Sequence, residues 1–173
     1  MDIHKYEKWW LVASLVLIVL FISTVVYASA VVGVEMVDDS GGSVDVDNVT
    51  DHERFSDPGV VKVGEDEYEV NMVARQFIFQ PGTNSPVEVP ANSTVTFYVT
   101  SADVIHGFQV VGTNVNTMVV PGKISEITVE FDEPKEYGIL CNEYCGAGHH
   151  DMGGNIVVVP EDEWEGQGQG GDA

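Results

Sequence analysis

Two hydrophobic patterns share this chain. From Trp9 to Val34 runs an uncharged stretch of 26 residues, centred on LVLIVLFISTVVYA and without a polar face. A helix needs about 20 such residues to cross the hydrocarbon core of a bilayer, so the pattern predicts a transmembrane helix over 9–34. Trp9 and Trp10 at one end and Tyr27 toward the other suit the two interfaces, where amphipathic rings settle. Ala28-Ser29-Ala30 has the look of a cleavage site. A signal peptide's apolar run, however, is only about 7–15 residues, so this longer one reads as a retained anchor.

Beyond the anchor the period changes to two. Thr94-Val95-Thr96-Phe97-Tyr98-Val99 and Ile127-Thr128-Val129-Glu130-Phe131 alternate polar with apolar, as half-buried strands do. Strands are expected at Val60–Val63, Tyr68–Val73, Thr94–Thr100, Ile105–Val111, Ile124–Phe131, Tyr137–Leu140 and Ile156–Val159. Pro81-Gly82, Pro121-Gly122 and Glu133-Pro134 mark turns between them. Many short strands in about 100 residues, with no helical pattern among them, predict an all-β Greek-key sandwich. The expected division is a flank over 1–8, the anchor over 9–34, an acidic linker over 35–58, the β-domain over 59–160 and a disordered Gly/Gln tail over 161–173.

Charge adds a place to this plan. Lys5 and Lys8 precede the anchor and the next basic residue is Arg54, so the N-terminus is expected in the cytoplasm and the β-domain outside. Across 173 residues, 28 Asp and Glu face 7 Lys and Arg, a net charge of −21. Such a surface repels phosphate backbones and excludes nucleic acid as a partner. Acids scattered over linker, strands and tail suit a protein of concentrated salt, in which charges are screened within a few ångströms, so a halophilic source is expected.

The chemistry gathers near the end of the domain, in Cys141-Asn-Glu-Tyr-Cys145-Gly-Ala-Gly-His149-His150-Asp-Met152, with His106 thirty-five residues upstream. Thiolate, imidazole and thioether are soft ligands that select copper, and two His, one Cys and an axial Met make a blue-copper set. Here a second cysteine is added, and two sulfurs bridging two ions would give a two-copper site. A disulfide needs only the cysteines, and zinc would leave Met152 unused. His150 competes with His149, while His4 and His52 are expected to be solvated and Met36, Met72 and Met118 to fill apolar space.

Cys141–Met152 with His106 resembles the CuA motif of subunit II of the haem–copper terminal oxidases. Tyr6-Glu-Lys-Trp-Trp10 before a single helix, Val104-Ile-His-Gly-Phe108 and Gly112-Thr-Asn-Val-Asn116 are similar to the ba-type branch of the cytochrome c oxidases. The resemblance covers Tyr6 to Pro160 and implies a cupredoxin-like fold. It implies that Cys141 and Cys145 bridge two copper ions, His106 and Met152 complete one, and His149 with the Glu143 carbonyl the other. It further implies an electron-entry subunit. A soluble donor, either a cytochrome c or a small blue-copper protein, would supply electrons for transfer to haem in subunit I, where oxygen is reduced.

Around that set, Asp103 is a candidate to orient His106, against a turn-capping role. Phe77, Phe79, Phe108 and Tyr144 are candidates to cover the centre, against plain core. The Glu143 side chain is a candidate metal ligand facing subunit I, against a solvated carboxylate. The rival functions are a Sco-like copper chaperone, whose thioredoxin-type helices are missing here, and a mononuclear blue-copper carrier, for which Cys141 would be superfluous.

Overall fold

The computed structural model describes residues 4–32, 40–164 and 166. The chain separates into two compact units, 1–35 and 36–173. In the first, helix α1 (Lys5–Tyr27) continues into a π-helical turn, Ala28–Val32. It starts four residues before the expected anchor because its first turn is capped: Glu7 accepts from the His4 N–H at 2.9 Å, and the His4 ring accepts from the Tyr6 N–H. Ser23 and Thr24 donate their hydroxyls to the carbonyls of Val19 and Leu20, so these two polar side chains are satisfied within the helix. The helix is long and apolar enough to cross a membrane.

The second unit is a two-sheet sandwich. One sheet has the order β1 (Gly59–Lys62), β2 (Glu67–Arg75), β5 (Ser93–Ser101), β8 (Ser125–Phe131), with β3 (Ile78–Gln80) hairpinned on the end of β2. The other runs β4 (Val87–Pro90), β10 (Gly153–Val159), β9 (Lys135–Leu140), β6 (His106–Val110), β7 (Asn116–Val119). The β2–β5 and β4–β10 pairs are parallel and the rest antiparallel, because the chain crosses between sheets instead of meandering within one. Alternation does the work in β5, where Val95, Phe97 and Val99 are fully buried and Thr94, Thr96 and Tyr98 face outward. Phe97 and Phe108 meet across the sheets at a tilt, with ring centroids 5.4 Å apart, and Phe79 meets Phe108 edge-on at 5.8 Å.

All seven expected strands are present, and three more, β3, β4 and β7, are too short to show alternation. Larger departures lie at the domain's flanks. Most of the segment read as a linker is part of the fold: Ser43 bridges to Lys123, Val46–Asp51 forms a 3-10 helix, and Val44, Val49 and Phe55 make a second small core with Val73 and Ile124. Arg54 locks it down, pairing with Glu69 at 2.5 Å and lying 3.7 Å over the Tyr98 ring. At the other flank, residues read as tail belong to the fold: Glu161–Glu163 makes a 3-10 turn and Trp164 packs edge-on against Tyr68, while 165 and 167–173 lie outside the described residues.

Candidate metal centre

The ligand-type residues sit at one end of the sandwich, and the sheets dictate where. His106 opens β6, paired with Val119. Cys141 follows β9 directly and Met152 immediately precedes β10, and the Cys141 N–H donates to the Met152 carbonyl at 3.2 Å. The twelve-residue loop therefore leaves and re-enters the β9–β10 ladder at a single rung. Inside it, Gly146 takes φ +133°, a conformation glycine adopts without strain, and a 3-10 turn at His149–Asp151 brings the chain back.

Four buried side chains converge. The Cys141 and Cys145 sulfurs lie 3.7 Å apart as free thiols. His106 Nδ1 is 3.8 Å from the Cys141 sulfur, and His149 Nδ1 is 3.6 Å from that of Cys145. Met152 Sδ is 3.6 Å from the Cys145 sulfur, and the Glu143 carbonyl is 3.2 Å from that of Cys141. His106, Cys141, Cys145 and Met152 are buried, and His149 is half-buried. Burial, then the hydrogen bond and charge of Cys141, push the Cys145 thiol up to about 11. Such a thiol is inert until a cation replaces its proton.

Asp103 fills both roles considered for it. It caps the β5–β6 turn by accepting from the Val104 N–H at 2.6 Å, and its Oδ1 lies 2.8 Å from His106 Nε2. Partial burial opposes its ionisation, but hydrogen bonds from His106, Gln76 and Val104 outweigh it and hold the carboxyl below its ordinary value. An ionised acceptor there fixes the imidazole proton on Nε2. The lone pair of Nδ1 is left facing the sulfurs.

Other candidates fall elsewhere. His150 is exposed and pairs with Asp151 at 3.1 Å, whereas it is His149 that lies beside the Cys145 sulfur. His52 is not free in solvent: it is half-buried, and its ring accepts from the Arg54 N–H. Met72 is fully buried core, while Met36 lies outside the described residues. Phe79 and Phe108 are core beneath the centre. Tyr144 is 78% exposed, its ring 5.8 Å from that of His149, so it projects from the site and does not cap it. Phe77 is the aromatic that covers the loop, for a Cβ on Gly148 would meet its ring at 2.6 Å. Gln76, which no motif or spacing marks, also reaches the loop: its amide donates to the Cys145 carbonyl.

Residues 63–159 match the family model described as cytochrome C oxidase subunit II, periplasmic domain. The chain belongs to the cytochrome c oxidase subunit II family. As a subunit II it resembles cytochrome c oxidase subunit 2 of Thermus thermophilus, 41% identical over 160 residues that span 90% of this chain and 93% of the relative. Heme-copper oxidase subunit 2 of Aeropyrum pernix is 36% identical over 78 residues, 44% of this chain and 33% of that one. Among solved structures, a chain of a heme-copper terminal oxidase dimer superposes with a TM-score of 0.71 at 34% identity, over 90% of this chain and 100% of that chain. The periplasmic domain of subunit II from Bradyrhizobium japonicum shares the fold, with a TM-score of 0.50 at 22% identity over 60% of this chain and 90% of its own. As a member of the family the protein is one subunit of an oxidoreductase complex, and the His106, Cys141, Cys145 cluster fits a copper site of that family.

Proposed function

We propose that this subunit II is the electron-entry subunit of its oxidase, with two copper ions held by His106, Cys141, Cys145, His149, Met152 and the Glu143 carbonyl. The observation that carries the reading is the pair of buried thiols 3.7 Å apart with an imidazole Nδ1 beside each. One thiol with two imidazoles would serve one ion; a second thiol at that separation suits two ions sharing both sulfurs. Copper bound there supplies one-electron chemistry. The protein's residues do the rest: the loop clasp at Cys141 and Met152 holds the ligands on one rung, Asp103 sets the His106 tautomer, and Phe77 shields the loop from water.

Electrons come from a soluble carrier, a cytochrome c or a small blue-copper protein, and leave for haem in subunit I. Tyr144, Val104 and Ile105 are exposed apolar residues next to ligands in the chain, and they offer the carrier a docking rim that salt does not screen. Lys5 and Lys8 favour a cytoplasmic N-terminus, and the scattered acids favour a protein made for concentrated salt. The test is to load the full chain in detergent with copper, count the metal and record an EPR spectrum. Two coppers with one unpaired electron shared by both nuclei are expected. One copper with a single-nucleus pattern would overturn the binuclear reading in favour of a blue-copper carrier or chaperone.

A further inference from the structure

Gln76 sits in the turn between β2 and β3, on the sheet that supplies none of the ligand-type side chains. It reaches both arms of the centre. Its backbone N–H donates to Asp103 Oδ2 at 2.8 Å, on the carboxylate that holds His106. Its side-chain Nε2 donates to the backbone carbonyl of Cys145. The loop is shaped to admit it: a Cβ on Gly146 would lie 2.6 Å from Gln76 Nε2 and 3.1 Å from the Phe77 ring. Residues 76 and 77 thus interlock with the glycines on either side of Ala147.

We propose that Gln76 is a positioning residue for the metal centre, acting through the Cys145 peptide on the thiolate arm and through Asp103 on the imidazole arm. The inference rests on the reading of the centre as a copper site. Its physics is that of an oriented dipole. The amide N–H puts positive charge against the Cys145 carbonyl, which favours the more negative, reduced state of the centre and fixes where the Cys145 sulfur lies. Gln76→Ala removes the donor but keeps the backbone N–H to Asp103. Gln76→Glu keeps the length and replaces the donor by an acceptor facing a carbonyl.

Both variants are made in the full chain, in detergent and beside the wild type. The readouts are copper count, copper release to a chelator, midpoint potential, EPR spectrum and thermal midpoint of the copper-free protein. The potential is expected to fall in the order wild type, Gln76→Ala, Gln76→Glu, and copper release to quicken about tenfold. The copper-free thermal midpoint should hardly move. Wild-type potential and retention in both variants would overturn the proposal. So would retention lost in step with the copper-free thermal midpoint while the potential stays fixed, since that marks a general packing role. A wild type holding one copper sinks the binuclear reading while the variants still decide Gln76; a wild type holding none sinks both.

Discussion

Asp103→Asn removes a charge and almost no volume, so its effect can be worked out from the hydrogen bonds it disturbs. Asp103 Oδ1 accepts from His106 Nε2 at 2.8 Å, from the Val104 N–H at 2.6 Å and at longer range from the Ser101 hydroxyl at 3.4 Å, whereas Oδ2 accepts from the Gln76 N–H at 2.8 Å. An asparagine keeps most of this by placing its oxygen at Oδ1 and turning its NH2 toward the Gln76 N–H. Gln76 is exposed, so water can take over that donor at little cost. The bond from His106 changes from charge-assisted, about 1.5–3 kcal/mol, to neutral, about 0.5–1.5 kcal/mol. The loss is therefore about 1–1.5 kcal/mol, or about tenfold in any equilibrium that depends on the orientation of His106. Copper competition against a chelator at neutral pH should show that tenfold weakening. The acid limb gives a second reading of the same pair. Because the folded state holds the Asp103 carboxyl below its ordinary value, its contribution is present above the unfolded value and lost as pH falls through the folded one. The stability gap between wild type and variant should therefore close below about pH 4. Copper affinity within twofold of wild type, or a gap that persists into acid, would refute the role assigned to Asp103.

Phe55→Ala should cost about 3 kcal/mol in urea unfolding, since Phe55 is fully buried between the Val46–Asp51 turn and the sandwich; a loss below about 0.5 kcal/mol would mean that this segment does not pack. Copper loading of the reduced protein should release a proton from Cys145, because a thiol pushed up to about 11 is protonated at neutral pH. Affinity should then rise with pH, and proton uptake or no change on loading in weak buffer would contradict it. The thermal midpoint should climb steadily from dilute to molar potassium chloride as the net charge of −21 is screened, and a flat or falling curve would remove the high-salt reading.

Much of this was readable in advance where the signal is local. The alternation in β5 and β8 is long enough to give both a strand and its buried face, whereas β3 and β4, at three and four residues, are too short for a period to repeat. Phe55 and Val49 are not legible as core because single apolar residues among Asp, Ser and Gly carry no periodicity; only the sheet face they cover makes them core. The same divide runs through the site. Cys141, Cys145, His149 and Met152 stand within one loop, and Asp103 stands three residues from His106, so spacing alone marks them as candidates. Gln76 lies 69 residues from the carbonyl it binds, and a polar residue in an exposed turn has nothing in its neighbours to mark it. Tyr144 departs for the opposite reason: its place between the cysteines suggests a lid, but its ring is 78% exposed.

The division of labour between the sheets reaches beyond the residues themselves. The side chains proposed as ligands come from β6 and from the loop between β9 and β10, and these three strands are neighbours in one ladder of backbone hydrogen bonds. Gln76, by contrast, comes from the opposite sheet, which meets the first mainly through side chains in van der Waals contact. Ladders are stiff in their own plane, and two packed faces can shear by small amounts. A shear between the sheets would leave distances within the proposed ligand set unchanged and would alter the electrostatic surroundings that Gln76 gives it. On the proposed reading, the fold would thus separate two properties an electron carrier must reconcile: a geometry indifferent to oxidation state, and a driving force that can still be adjusted from outside it.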